Sequence, residues 1–346
     1  MTKVPNPISE ITAPKNRQWQ LGSTPWLSNQ ALTPGTRVII DNDFSGDPDD
    51  LFQLVHHLLS PSLDIRLVVA SHLREGDPFD SSPDTAASAF AVAADVFARM
   101  GITSRDVIKR GSAHAIKDLS TPAPSEAVDA IIAEARADDP RPLFYLAGGG
   151  LTDLASALIQ APDIASRMTL IWIGGLEHQG LATPPKDAMP IEYNLLIDII
   201  AGQVVFNTPD LEIWQVPRNV YRQCLVSIAE LRTKVGTCGE LGKFLVDAIE
   251  HEQARVHQYG LPVSESYALG DSPLVLLTAL SSLFEPDSTS SIHTLMPTPQ
   301  LTDDGAYRYL NNSRPMRVYT YVDTRLMFDD LYAKIHEFTN WFYSNE

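Results

Sequence analysis

The sequence predicts an α/β protein: an open, mostly parallel, doubly wound sheet flanked by helices, with a helical segment and a small C-terminal hairpin. Three observations carry this. Short apolar runs alternate with helix-length segments over the first two-thirds of the chain, the pattern of a parallel sheet with crossover helices. Polar clusters follow the strand-like runs directly, at Asp41–Asp50, Ser71-His72, His114, Gly148–Gly150, Gly174-Gly175 and Glu192–Asn194; in a parallel sheet these share one rim. A hydrophobic content of 44% with 20% charged residues is that of a globular chain long enough for one large domain.

In chain order, residues 1–34 read as an irregular arm. Its prolines (Pro5, Pro7, Pro14, Pro25, Pro34) resist regular structure, and Trp19 and Trp26 would anchor it on the surface or on a neighbouring subunit. Residues 35–346 read as a single catalytic domain. Arg37–Asp41 is a strand, followed by an acidic loop and a helix to about Leu59. Asp64–Ala70 is a second strand, and Thr85–Met100 is an Ala-rich helix stopped by Gly101. A short strand at Val107–Lys109 precedes a helix that starts at Ser125. Leu143–Ala147 is a strand, Thr152–Gln160 a helix, and Met168–Ile173 a strand. A long loop to about Pro190 leads to a helix over Ile199–Asn207 and a strand over Leu211–Val216. Ser227–Tyr259 is helical, Ser272–Leu283 an apolar helix, Tyr307–Tyr321 a hairpin around Asn311-Asn312, and Thr324–Tyr343 an amphipathic helix.

The formal net charge of −17 argues against a nucleic-acid polymer as partner, because phosphate binding needs clustered Lys and Arg. The only cysteines, Cys224 and Cys238, exclude a disulfide framework and fit a reducing compartment. The opening residues lack a signal-peptide pattern, and no apolar run approaches the ~20 residues of a membrane span. A cytoplasmic location is expected.

The chemistry concentrates in Asp41-Asn42-Asp43-Phe44-Ser45-Gly46-Asp47-Pro48-Asp49-Asp50, with five carboxylates in ten residues at a strand end. Like charges this close repel unless something offsets them. A hard divalent cation does so, Ca²⁺ first and Mg²⁺ second. An EF-hand is excluded, since its loop needs a Glu at position 12 where this chain has Phe52, and an entering helix where it has a strand. Helix capping accounts for Asp49 and Asp50 alone.

Five stretches together resemble the inosine–uridine-preferring nucleoside hydrolase superfamily. The acidic loop is similar to the family's Asp-x-Asp…Asp-Asp calcium loop, two residues longer than its most familiar version. Leu146-Ala147-Gly148-Gly149-Gly150-Leu151-Thr152-Asp153-Leu154-Ala155 resembles its Thr-Gly-Pro-Leu-Thr-Asn-x-Ala turn. Ile171-Trp172-Ile173-Gly174-Gly175 resembles its apolar-Met-Gly-Gly. Glu192-Tyr193-Asn194, ahead of Asp198, resembles Glu-Phe-Asn…Asp, and Leu269-Gly270-Asp271-Ser272-Pro273 resembles Leu-His-Asp-Pro. The resemblance covers about residues 37–335 and implies a Ca²⁺-dependent hydrolase of the N-glycosidic bond of a nucleoside, working as a homodimer or homotetramer. It implies that Asp43 is general base and calcium ligand, that Asp50, Asp271 and the Gly148 carbonyl are further ligands, and that Asp49, Glu192 and Asn194 hold the sugar hydroxyls.

The departures matter as much. Ala70-Ser71-His72 stands where the family has Ala-Gly-Asn, and Gly270 where many members have a His that protonates the leaving base. The Glu177–Met189 loop is longer and lacks the family's Asn-x-Thr-Pro. His178, which should overhang the pocket, is the first candidate for the missing acid; His72, a substrate-side candidate, and His114 follow. Another ribosyl N-glycoside as substrate, or silent binding of a sugar or nucleoside, are the alternatives. The neutral charge of an ordinary nucleoside is compatible with the acidic chain.

Overall fold

The computed structural model describes residues 17–27, 32–281, 290–310 and 312–344. Residues 1–16 and 28–31 of the expected arm, and Asn311 of the expected hairpin, lie outside them. The first half of the chain alternates as expected. It runs through β1 (Thr36–Asn42), α1 (Asp49–Leu58), β2 (Leu63–Ala70), α2 (Thr85–Arg99), β3 (Ile108–Arg110), α3 (Glu126–Ala135), β4 (Leu143–Ala147), α4 (Thr152–Gln160) and β5 (Thr169–Ile173). Then come α5 (Tyr193–Ile197), α6 (Ile199–Asn207), β6 (Glu212–Val216), α7 (Arg218–Tyr221), β7 (Leu225–Ser227), α8 (Ile228–Lys234), α9 (Gly239–Gln258), β8 (Ser266–Ala268) and α10 (Pro273–Leu276). The chain finishes with β9 (Ile292–Pro297), β10 (Gln300–Leu301), β11 (Tyr307–Arg308), β12 (Pro315–Tyr321) and α11 (Thr324–Phe342).

One sheet in the order β3-β2-β1-β4-β5-β6-β12-β9 organises these elements. Every pairing in it is parallel except β12 with β9. The sheet is covered on both faces, so its central strands are continuous apolar runs; all seven residues of β1 are buried. One core lies between the sheet and α1, α2, α9 and α11, the other between the sheet and α3, α4 and α6. Short polar side chains start the helices: Asp84, Ser125, Asp198 and Asp323 each accept a backbone N–H of the first turn. No helix among the described residues is long and apolar enough to cross a membrane.

Three expectations about the second half change. The helix expected over Ser272–Leu283 is the four-residue α10, with residues 282–283 outside the described part. Its leucines are buried whatever their conformation, so an apolar run alone does not separate a helix from a buried turn. The small antiparallel pair near the C-terminus is present, but as β10 with β11 across Thr302–Gly305, not as one hairpin over Tyr307–Tyr321. The Asp304-Gly305 pair, with Gly305 at φ 75°, is the turn signal that marks it. β12 instead extends the main sheet beside β6. The stretch expected to be helical over Ser227–Tyr259 holds α8 and α9, and β7 and β8, which flank it and were not expected, form a small antiparallel pair of their own.

The described part of the arm lies on this chain's own C-terminal helix. Trp19 is 5% exposed, its ring 4.9 Å from Trp26 and 6.4 Å from Phe338, and its Nε1 donates to the Met100 carbonyl at 2.7 Å. Trp19→Ala removes a large buried ring together with that hydrogen bond. It is expected to destabilise the fold by about 3–5 kcal/mol, read as a lowered urea midpoint. An unchanged midpoint would show that the arm contributes nothing to folding.

Candidate functional site

At the carboxyl ends of β1, β4 and β5 a pocket of about 180 Å³ opens. Its floor is acidic, formed by Asp43, Asp47, Asp49, Asp50 and Asp271. Gly148, Gly270, Ile173 and Asn194 complete the base, and Phe79, Tyr193 and Tyr221 form aromatic walls. Local geometry explains why the acids converge. β1 ends at Asn42, the chain turns back with Gly46 N–H donating to the Asp43 carbonyl at 2.6 Å, and α1 begins at Asp49. The acids of its first turn, Asp49 and Asp50, sit favourably at the positive end of the helix dipole. Asp271 arrives from the far end of the sequence and is fixed twice: its N–H donates to Asp49 at 3.1 Å, and its carboxylate accepts from Asn42 Nδ2 at 2.5 Å. Asn42 also accepts the Asp43 N–H at 3.1 Å, so one amide ties both carboxylate-bearing segments together.

Two glycines are required here by close approach. A Cβ on Gly148 would collide with the Asp271 carboxylate and the Asn42 amide, and one on Gly149 with the Asp43 carboxylate. The Gly148 carbonyl accepts from Asn194 Nδ2 at 2.5 Å, whose other N–H reaches the Ile173 carbonyl at 2.8 Å. Asp49, Asp50 and Asp271 offer oxygens that all lie within 4.8 Å of one another, and Asp50 Oδ2 has no hydrogen-bond partner.

The electrostatics follow from burial. Burial, and then the charge of Asp271, pushes Asp43 up to about 8; burial pushes Asp271 up to about 7. Asp49 and Asp50 are raised well above the ordinary carboxyl value by burial and by their acidic neighbours.

Other residues singled out in the sequence lie elsewhere. Glu192 does not line the pocket: its carboxylate is buried and fully used, accepting the N–H groups of Gly175, Asn194 and Leu195 and the Tyr221 hydroxyl. His178 does not line it either. That ring is buried, bonded to Gln215 at 2.7 Å and Tyr309 at 2.8 Å, and packed on Tyr307. His72 is buried near Asp198 and His114, outside the pocket lining. Asp41 points to the opposite side of β1, where the Tyr145 hydroxyl donates to it at 2.5 Å. Arg218 is locked to Glu177 by contacts of 2.8 and 2.6 Å. Asn42, Asp47, Phe79 and Tyr221 were not singled out as site residues. For Asp47 the acidic run itself was the signal; the others enter through contacts distant in sequence.

A family model described as "Inosine-uridine preferring nucleoside hydrolase" matches residues 38–325. Over 91 residues the chain is 35% identical to an inosine-uridine preferring nucleoside hydrolase of Crithidia fasciculata, a stretch that spans 26% of this chain and 26% of that relative. A solved plant nucleoside hydrolase superposes with a TM-score of 0.65 at 19% identity, covering 88% of this chain and 99% of that one. A purine-preferring ribonucleoside hydrolase from Gardnerella vaginalis also gives 0.65, at 18% identity, with 88% and 99% covered. At these identities the structural likeness establishes the fold.

The raised carboxyls set a pH dependence. Between 3.8, the ordinary value, and about 8, the folded chain without metal binds more protons than the unfolded one. Its stability therefore falls as pH rises through that window. Chelator-treated protein is expected to melt lower at about pH 8 than at about pH 5, with added Ca²⁺ raising the melting temperature most at the higher pH. Melting temperatures that rise with pH in the chelated protein would contradict this.

Proposed function

The chain belongs to the inosine-uridine preferring nucleoside hydrolase family, hydrolases acting on N-glycosyl compounds, and we propose that it hydrolyses the bond between base and ribose of a nucleoside with Ca²⁺ as cofactor. The observation that carries this reading is the buried carboxylate set at the sheet rim. Three carboxylates converge within 4.8 Å, and one of them holds an oxygen with no partner, an arrangement that fits a hard divalent cation.

In this reading Asp50 and Asp271 of that set, joined by Asp43 and the Gly148 carbonyl, would hold the ion, and Asp49 of the same set is left for the sugar. When bound, it supplies Lewis-acid character that lowers the pKa of a water. Asp43 takes the proton from the attacking water as the bond to C1′ forms. Asp49 and Asn194, both in the pocket lining, hold the ribose hydroxyls. Glu192 acts at one remove: it caps the turn that carries Asn194 and orients Tyr221. The departing sugar passes through an oxocarbenium-like state, which the surrounding carboxylates stabilise. His178 stays in its Gln215–Tyr309 bracket and takes no part. Silent binding is disfavoured, because a pure binder has no need of a base beside the metal ligands.

The direct test is release of reducing sugar from purine and pyrimidine nucleosides, with and without chelator. Chelator-sensitive release is expected; no release by calcium-loaded protein would overturn the reading. Asp43→Asn is expected to lower kcat by at least ~100-fold while calcium still binds, the scale of a lost general base. A variant of near-normal rate would remove Asp43 from that role. Asp50→Ala is expected to abolish calcium binding in calorimetry, and binding at full affinity would break its assignment as a ligand.

A further inference from the structure

Of the pocket carboxyls, Asp43, Asp50 and Asp271 would ligate the cation, while Asp47 accepts the Tyr267 hydroxyl and Asp49 the Asp271 N–H; no other side chain in the pocket is free to give a proton to a departing base. None of its lining residues is Lys, Arg or His among those described. Its three side-chain donors are already committed. The Tyr193 hydroxyl donates to Asp77 at 2.6 Å, and the Tyr221 hydroxyl to buried Glu192 at 2.8 Å. Both N–H bonds of the Asn194 amide go to backbone carbonyls, those of Gly148 and Ile173. The nearby guanidinium of Arg255 stands behind the aromatic wall, 4.9 Å from the Phe79 ring centre, and is paired with Glu252 at 2.7 Å.

Position 270 closes the remaining route. Gly270 itself offers no side chain, and a Cβ there would sit in tight contact, 3.2 Å from Tyr221 Cδ2 and 3.4 Å from Asp49 Oδ2. What remains is an acidic floor beside the aromatic side chains of Phe79, Tyr193 and Tyr221. Five acidic side chains line the pocket and no lysine or arginine does, a lining that favours a cation over a neutral ligand. Aromatic faces attract a cation through the ring quadrupole, most strongly when it is desolvated.

We propose that the preferred substrate is an N-riboside of a quaternised, cationic nitrogen heteroaromatic, which leaves as a neutral base without taking a proton. This rests on the reading of the chain as an N-ribohydrolase and names its substrate class. The step balances without an acid. The C1′–N bond breaks and its electron pair cancels the positive charge of the ring. Water oxygen bonds to C1′, and Asp43 receives the proton the water loses. The products are ribose, neutral base and one proton. A neutral nucleoside in the same pocket must instead expel an anionic base, or draw its proton from solvent.

The test compares kcat/KM for nicotinamide riboside and 7-methylinosine with that for uridine and inosine, using calcium-loaded protein. The cationic substrates are expected to be favoured by at least ~100-fold, the lower end of what a positioned general acid contributes. Equal rates, or a preference for the neutral nucleosides, would overturn the inference while leaving the N-ribohydrolase reading standing. Hydrolysis of neither kind would overturn both. Tyr221→Phe and Tyr193→Phe separate a hidden acid from a wall. Each is expected to leave the cationic-to-neutral ratio unchanged, whatever it does to the individual rates. A tenfold or greater loss confined to the neutral substrates would make that tyrosine the acid and refute the proposal.

Discussion

Five carboxylates share one buried pocket, and much of the local structure exists to hold them there. Two like charges about 4 Å apart repel by ~4 kcal/mol at an effective dielectric near 20. Burial at the sheet rim adds desolvation to that repulsion, which is why these groups are raised together. The fold confines them with rigid parts: the end of β1, the first turn of α1, and glycines at 148 and 149 that leave no Cβ in the way. Asn42 bonds Asp271, 229 residues further along the chain, and so stitches the two ends of the set into one object. A bound cation would convert this concentrated repulsion into a ligand set.

The first two-thirds of the fold was legible in the sequence because parallel strands buried on both faces read as uninterrupted apolar runs. β4 and α4 fall on the expected residues, and the helix starts follow from Asp84, Ser125 and Asp198. The C-terminal part was less legible. Strand pairing there depends on which edge of the sheet is open, and nothing local to Pro315–Tyr321 says that it will lie beside β6. The acids and Gly148 of the site were legible because they cluster at strand ends. The histidines show the opposite limit. His178 follows a glycine pair at a strand end, as a pocket residue would, yet Gln215, Tyr307 and Tyr309 use its ring as a packing and hydrogen-bonding node. Tyr221 was invisible for a related reason, since its meaning lies in Gly270, 49 positions later.

The comparisons fit this division. Solved relatives at 18 and 19% identity share the fold over 88% of the chain, whereas the 35% identity to the Crithidia fasciculata enzyme is confined to 91 residues. The sheet is robust to substitution because it depends on the pattern of apolar runs. The walls of the pocket depend on individual side chains: with no side chain at Gly270, the Tyr221 ring borders the pocket there.

The central claim is that buried, proton-holding carboxylates give up their protons to a calcium ion. It is tested most directly by titrating Ca²⁺ into chelator-stripped protein by calorimetry at about pH 7, in buffers of different ionisation enthalpy. Binding accompanied by proton release, visible as a buffer-dependent heat, is the expected result. Absence of binding, or binding whose heat is the same in every buffer, would contradict the account.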